Sequence, residues 1–216
     1  MGRLFAASDI HGHGRLLLTL LEQAGYEPGR DRLYLLGDYV NKGPDSIGTL
    51  ETVRHLCRQG AVALQGNNDR AWLQAVPAGQ APDSASALRC QRFIASLPLW
   101  AQSDGYLFVH AGIRPGVPLY LQTAEDLTEI RTLFYDSPPP RGMHVVFGHT
   151  PTFRFGLPPG EIWHGEGKTG IDTGAGRGLY LSLVELTGGF QWRVPAGAPH
   201  AVTRTRLLQA GWAGQS

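Results

Sequence analysis

A chain of 216 residues with a formal net charge of +1 can bury one substantial core, and it has no electrostatic case for nucleic acid or an anionic membrane as its main partner. Its two cysteines, Cys57 and Cys90, make neither a disulfide framework nor a metal-type spacing. Hydrophobic residues at 42% and charged residues at 17% read as a soluble globular protein, and the N-terminal run "LFAA" is too short for a signal peptide or membrane span, so the expected location is cytoplasmic.

Short apolar runs bounded by Gly, Pro, Asn and Asp predict strands at 3–8, 32–37, 61–65, 106–110, 144–148, 169–171, 180–186 and 190–194. Helical spacing predicts helices over 15–25, stopped by Gly25, and over 45–60, stopped by Gly60. Two more fit 84–97 and 124–134. Strand and helix alternate in the first half, which suggests parallel βαβ units, whereas the last third is mostly strand. The mixture predicts an α/β sandwich. One domain is expected over 1–194, with surface loops at 75–84 and 135–142 and a peripheral Gly/Ala-rich tail over 195–216.

Five predicted strands end in a residue able to bind metal. In order they are "SDIHG" with Asp9 and His11, "GDYVNKG" with Asp38, "GNND" with Asn67, "VHAG" with His110 and "FGHT" with His149. Taken singly, an Asp or Asn beside Gly is ordinary turn chemistry, and a lone buried His is more often a satisfied core residue than a ligand. Together, each behind an apolar run, they place ligands just beyond the carboxyl ends of strands, where α/β sheets gather them. Oxygen and imidazole donors suit Mn²⁺, Fe or Zn²⁺ better than Mg²⁺. Six donors exceed what one catalytic ion can use. They suit two divalent ions roughly 3.5–4 Å apart, the arrangement that cleaves phosphoesters.

These motifs resemble the phosphoprotein phosphatase branch of the metallophosphoesterases, whose pattern is GDxHG, GDxVDRG, GNHE or GNHD, then a His before a small turn, then GH. The similarity covers about residues 3–187. "HAGIRPGVPLYLQTAEDLTEIR" and "GIDTGA" are similar to small bacterial serine/threonine protein phosphatases. "EPGRDRLYLLGDYVNKGPDS" resembles symmetrical diadenosine tetraphosphatases. The resemblance implies a four-layer α/β/β/α calcineurin-like sandwich and two divalent metals, Mn²⁺ in first place. By position, Asp9 and His11 would hold the first ion, Asp38 would bridge, and Asn67, His110 and His149 would hold the second. Lys42 and Arg131 stand where the family grips phosphate.

Two departures carry weight. The family's Asp–His pair, whose histidine protonates the leaving group, is Asn41 and Asn68 here. An amide is no general acid near neutral pH, and losing one costs ~10²–10⁴ in rate for a poor leaving group. A relative's further arginine is replaced by Gln65. His13 is a possible substitute acid, read first as a solvated loop residue. Asp69 is read as a helix cap. Asp172 has a turn role or supports a metal histidine. His55 and His144 receive no chemistry. The resulting expectation is a binuclear phosphoester hydrolase using a metal-bridging hydroxide. A phosphorylated protein is the first substrate reading, and a dinucleoside polyphosphate or other small phosphoester the second. A phosphate-binding regulatory module that has lost catalysis is the reading from another class. Oligomeric state is left open.

Overall fold

The computed structural model describes residues 2–75 and 85–207. The loop expected over 75–84 falls outside these residues except for Ala75, and so does the end of the tail from 208. One sheet is built from β1 (Leu4–Ala7), β2 (Arg32–Leu35), β3 (Val62–Ala63) and three later strands. The second begins with β4 (Trp100–Ser103), β5 (Tyr106–Val109), β6 (His144–Phe147), β7 (Trp163–Gly165) and β8 (Lys168–Gly170). β9 (Tyr180–Glu185), β10 (Phe190–Pro195) and β11 (Thr203–Arg206) then return to the first sheet. The strand orders are β11-β10-β9-β1-β2-β3 and β4-β5-β6-β8-β7.

The alternating side chains of each strand separate the cores. Phe5 and Ala7 of β1, with Leu33 and Leu35 of β2, face a core shared with helices α1 (Gly14–Gln23), α2 (Ser46–Arg58) and α4 (Ala85–Ser96). Leu4, Ala6 and Tyr34 point the other way, against Tyr106, Phe108 and Val146 of the second sheet. Tyr34 and Phe108 stack there with centroids 4.0 Å apart. Leu107, Val109, Val145 and Phe147 face a third core with Leu127 and Phe134, from helices α5 (Ala124–Glu129) and α6 (Thr132–Tyr135). The layers run α/β/β/α, an α/β sandwich as the sequence predicts and with the four layers that the resemblance implies. No described helix is long and apolar enough to cross a membrane.

Three differences from the predicted elements have physical reasons. Strands β4 and β7 enter as hairpin partners of β5 and β8. "SDGY" turns the first hairpin with Asp104 at φ 50° and Gly105 at φ 79°, the left-handed pair of a tight hairpin turn. The helix predicted over 124–134 breaks between Glu129 and Thr132, with Ile130 extended at ψ 146°. No Gly or Pro marks this break. It lets Ile130 and Phe134 both pack on the bare backbone of Gly112, where a Cβ would come within 2.9 Å and 2.4 Å of them. It also leaves Arg131 at the start of α6. Finally, the expected tail contributes β11, exposed at every residue but hydrogen-bonded to β10.

The N-terminal strand is fastened at its entry. Arg3 donates from its backbone N, from Nε and from Nη2 (2.5 Å) to buried Asp31, which also accepts from Glu27 N. Burial pushes the Asp31 carboxyl up, but these donors and the Arg3 charge outweigh it and hold it below the usual carboxylate range. Its contribution is therefore fully present above the unfolded-state pKa of about 3.9 and fades as pH falls through the lower folded value. Asp31→Asn should cost about 1–3 kcal/mol at pH 7. The gap in urea midpoint from the wild type should hold between pH 8 and 5 and close below about pH 4. A gap that widens in acid would contradict this assignment.

Candidate active site

Six strands run parallel in two sets of three, and all end at one edge of the sandwich. Asp9 and His11 follow β1, Asp38 follows β2 and Asn67 follows β3. From the other sheet, His110 follows β5, His149 follows β6 and Asp172 follows β8. The sheets are sewn together here. His149 N donates to Asp9 Oδ2 at 2.8 Å, and His110 Nδ1 donates to the Leu36 carbonyl at 2.7 Å.

All six sequence-predicted donors converge. His11 Nε2 lies 3.4 Å from Asp38 Oδ2 and 3.8 Å from Asp9 Oδ1. His110 Nε2 lies 3.5 Å from Asp38 Oδ1 and 3.1 Å from Asn67 Oδ1. His149 Nδ1 lies 2.9 Å from the same amide oxygen. Ligand atoms of Asp9, Asp38 and His110 all lie within 4.8 Å of one another. The Nδ1 atoms of His11 and His110 are spent on the carbonyls of Val40 and Leu36, so each presents Nε2 inward. Burial, then the His110 and Arg131 charges, push His149 down to about 3, which keeps its ring neutral.

This donor set fits divalent metal. Asp9 and Asp38 are buried, as are Asp69 and Asp172. Four buried carboxylates at one spot cannot all stay charged without a cation among them. The strain appears in their protonation. Burial and then the Asp38 charge push Asp69 up to about 7, and burial with Asp9 pushes Asp172 well above the carboxylate range.

Asp69 corrects the reading as a simple cap. The helix, α3 (Asn67–Ala75), starts two residues earlier. Asp69 accepts from Gly66 N at its start, but also from Asp38 N at 2.7 Å and Tyr39 N at 2.9 Å. It therefore shapes the loop that carries Asp38. Backbone strain marks the same loops: Asp9, His11, Asp38 and His149 all have φ between 43° and 63°.

The remaining predicted residues sort clearly. Lys42 and Arg131 line the cleft, an open space of about 450 Å³. Lys42 Nζ lies 3.2 Å from His11 Nε2, and Arg131 Nη1 donates to Thr150 Oγ1 at 3.4 Å. Asn68 donates from its backbone N to Asp38 Oδ1 at 2.8 Å and from Nδ2 to Oδ2 at 2.5 Å. Asn41 does not line the cleft, and its backbone N donates to Ser46 Oγ. His13 is half-buried rather than a solvated loop residue, and it too lies outside the lining. Gln65 is buried and tied to the Ile94 carbonyl. His144 donates into the sheet at Thr169 Oγ1 or accepts from it, and His55 is exposed on α2. Two charged lining residues escaped the sequence reading, Arg154 and Arg177.

Gly148 sits where β6 meets Asp9. A Cβ there would lie 1.9 Å from Ser8 Oγ and 2.3 Å from Asp9 Oδ2. Gly148→Ala should push Asp9 aside and weaken Mn²⁺ binding about 10–100-fold, measured by titration calorimetry. An unchanged affinity would remove Asp9 from the metal site.

Residues 2–171 match the family described as calcineurin-like phosphoesterase. A symmetrical bis(5'-nucleosyl)-tetraphosphatase of Aromatoleum aromaticum is 38% identical over 127 residues, covering 52% of this chain and 45% of that protein. The chain thus spans about half the length of the curated relatives it matches. The crystal structure of a candidate diadenosine tetraphosphatase superposes with a TM-score of 0.71 at 28% identity, covering 90% of this chain and 93% of that one. A cold-active protein-tyrosine phosphatase of a psychrophilic Shewanella superposes at 0.66 with 16% identity, covering 96% and 81%, and so shares the fold. The chain belongs to the calcineurin-like metallophosphoesterases, a family of metal-dependent hydrolases.

Proposed function

We propose that this protein hydrolyses phosphoanhydrides, with dinucleoside polyphosphates as its substrate class. The observation that carries the reading is Asn68. Its side chain stands in the proton donor's place and is committed to Asp38 at 2.5 Å, so it positions the Asp38 carboxylate and has no proton to give. The sequence reading put a phosphoprotein substrate first. The relatives named as tetraphosphatases, together with this amide, reverse that order.

The residues proposed to hold two divalent ions are Asp9, His11, Asp38, Asn67, His110 and His149. Such ions supply Lewis-acid charge and a lowered pKa for water. This chain does the rest. Asn68 donates to both oxygens of the Asp38 carboxylate, and Asp69 accepts from Asp38 N and so fixes the backbone that carries it. Lys42 and Arg131 present cations to the oxygens of the phosphoryl group, where negative charge must be steadied during in-line displacement. Lys42 does so as a point charge, without the fork of an arginine.

In the net reaction a water oxygen bonds to phosphorus and the bridging P–O bond breaks. The leaving phosphate keeps the electron pair, and at neutral pH a proton goes to solvent. A phosphate leaving group, with a second pKa near ~6, departs as a stable anion and needs no acid. A serine alkoxide does not.

With Mn²⁺, kcat/KM should rise steeply across substituted aryl phosphates as leaving-group pKa falls, and diadenosine tetraphosphate should outrun phosphoserine and phosphotyrosine peptides. Asn68→His should flatten that slope by accelerating poor leaving groups about tenfold or more. A flat wild-type slope, or faster turnover of the peptides, would reject the proposal.

A further inference from the structure

Four cations line the cleft: Lys42, Arg131, Arg154 and Arg177. Six of the arginines outside the cleft are neutralised. Arg3, Arg30, Arg32, Arg54, Arg89 and Arg114 each pair with a carboxylate. Among the described residues, none of the four cleft cations forms a salt bridge, and the side chains of Arg154 and Arg177 make no hydrogen bond. All four are exposed at the cleft.

The two unassigned arginines are held in place by their backbones. Arg154 lies in the 3-10 turn Thr152–Phe155 and Arg177 in the 3-10 turn Ala175–Arg177. One residue ties the turns together. The Asp172 carbonyl accepts from Thr152 N at 2.8 Å, and Asp172 Oδ1 accepts from Gly174 N at 2.9 Å. The second turn also presses on the metal site, since a Cβ on Gly176 would come within 2.3 Å of His11 Cδ2. Arg177 is therefore carried on the His11 side of the cleft, and Arg154, five residues beyond His149, on the other.

One transferring phosphoryl group has three equatorial oxygens, and Lys42 and Arg131 already address them. Two further free guanidiniums exceed what a single phosphate can use. Each is a fork suited to two phosphate oxygens. We propose that Arg154 and Arg177 hold the phosphates that flank the scissile one, so that the cleft measures polyphosphate length. The ligand class is a linear phosphoanhydride of three or more phosphates. The assignment deepens the phosphoanhydride reading and rests on it for the identity of the substrate, but the binding geometry can be tested separately.

The test compares inorganic pyrophosphate and tripolyphosphate as competitors of aryl phosphate hydrolysis, with Mn²⁺ in excess of polyphosphate. Direct calorimetric binding of both to the same protein accompanies it. Wild type should bind tripolyphosphate more tightly than pyrophosphate. Arg154→Ala and Arg177→Ala should each weaken tripolyphosphate about ten- to a hundredfold, at least tenfold more than they raise KM for the aryl phosphate. The double variant should lose the preference for the longer chain. Arg141→Ala, which removes a charge outside the cleft lining, controls for net charge. Equal losses on both ligands, or no loss on tripolyphosphate, would overturn the proposal. If wild type shows the length preference and loses it in the double variant, yet cleaves only monoesters, the arginine assignment stands and the phosphoanhydride reading falls.

Discussion

The hydrogen bond from His149 N to Asp9 Oδ2 is the constraint on which the site depends. It joins the end of a strand in one sheet to the end of a strand in the other, 140 residues apart in sequence. For it to form, the two sheets must approach until Gly148 is the only residue that fits against Ser8. The six donors meet because that approach is fixed. The left-handed backbone conformations of four of them, Asp9, His11, Asp38 and His149, persist because three packed cores hold the loops from behind.

Charge then orders the site from inside to outside. Buried oxygen and imidazole donors at the floor call for cations, and unpaired cations at the rim call for an anion. Between them stands Asn68, an amide where an acid would be needed for an alkyl leaving group. Replacing an acid with an amide does not dismantle the site, because the side chain still donates to Asp38 and the floor keeps its shape. On the proposed reading, what changes is the range of bonds that can break, and the reaction shifts toward substrates whose leaving groups carry their own stability.

The floor was legible in the sequence because strand ends announce themselves: an apolar run, a glycine, then a donor. Asp38, Asn67 and His149 could each be read that way, and their convergence followed from parallel topology. The rim was less legible. Arg154 and Arg177 sit in short turns whose direction is set by Asp172 and by contact with His11, and no local pattern encodes either. Asp69 looked like a cap because it is near a helix start. Its reach to Asp38 N and Tyr39 N depends on how close β2 and β3 lie, which is a tertiary fact. The Asp104–Gly105 dipeptide suits a hairpin turn, but β4 before it, WAQS, lacks the apolar run that marks a strand. The break at Ile130 had no local signal, because packing on Gly112 produces it.

Strand β1 has a further consequence. It lies in the interior of its sheet, paired on one side with β2 and on the other with β9, and Leu4 N reaches Thr187 Oγ1 across 183 positions. The earliest strand of this sheet in the sequence is therefore completed almost last. Chain emerging from the ribosome must carry β1 with one open edge until β9 arrives, and loop-closure entropy makes such distant pairings slow to form. During synthesis that exposed edge is where a chaperone, or a second nascent copy, would find its grip.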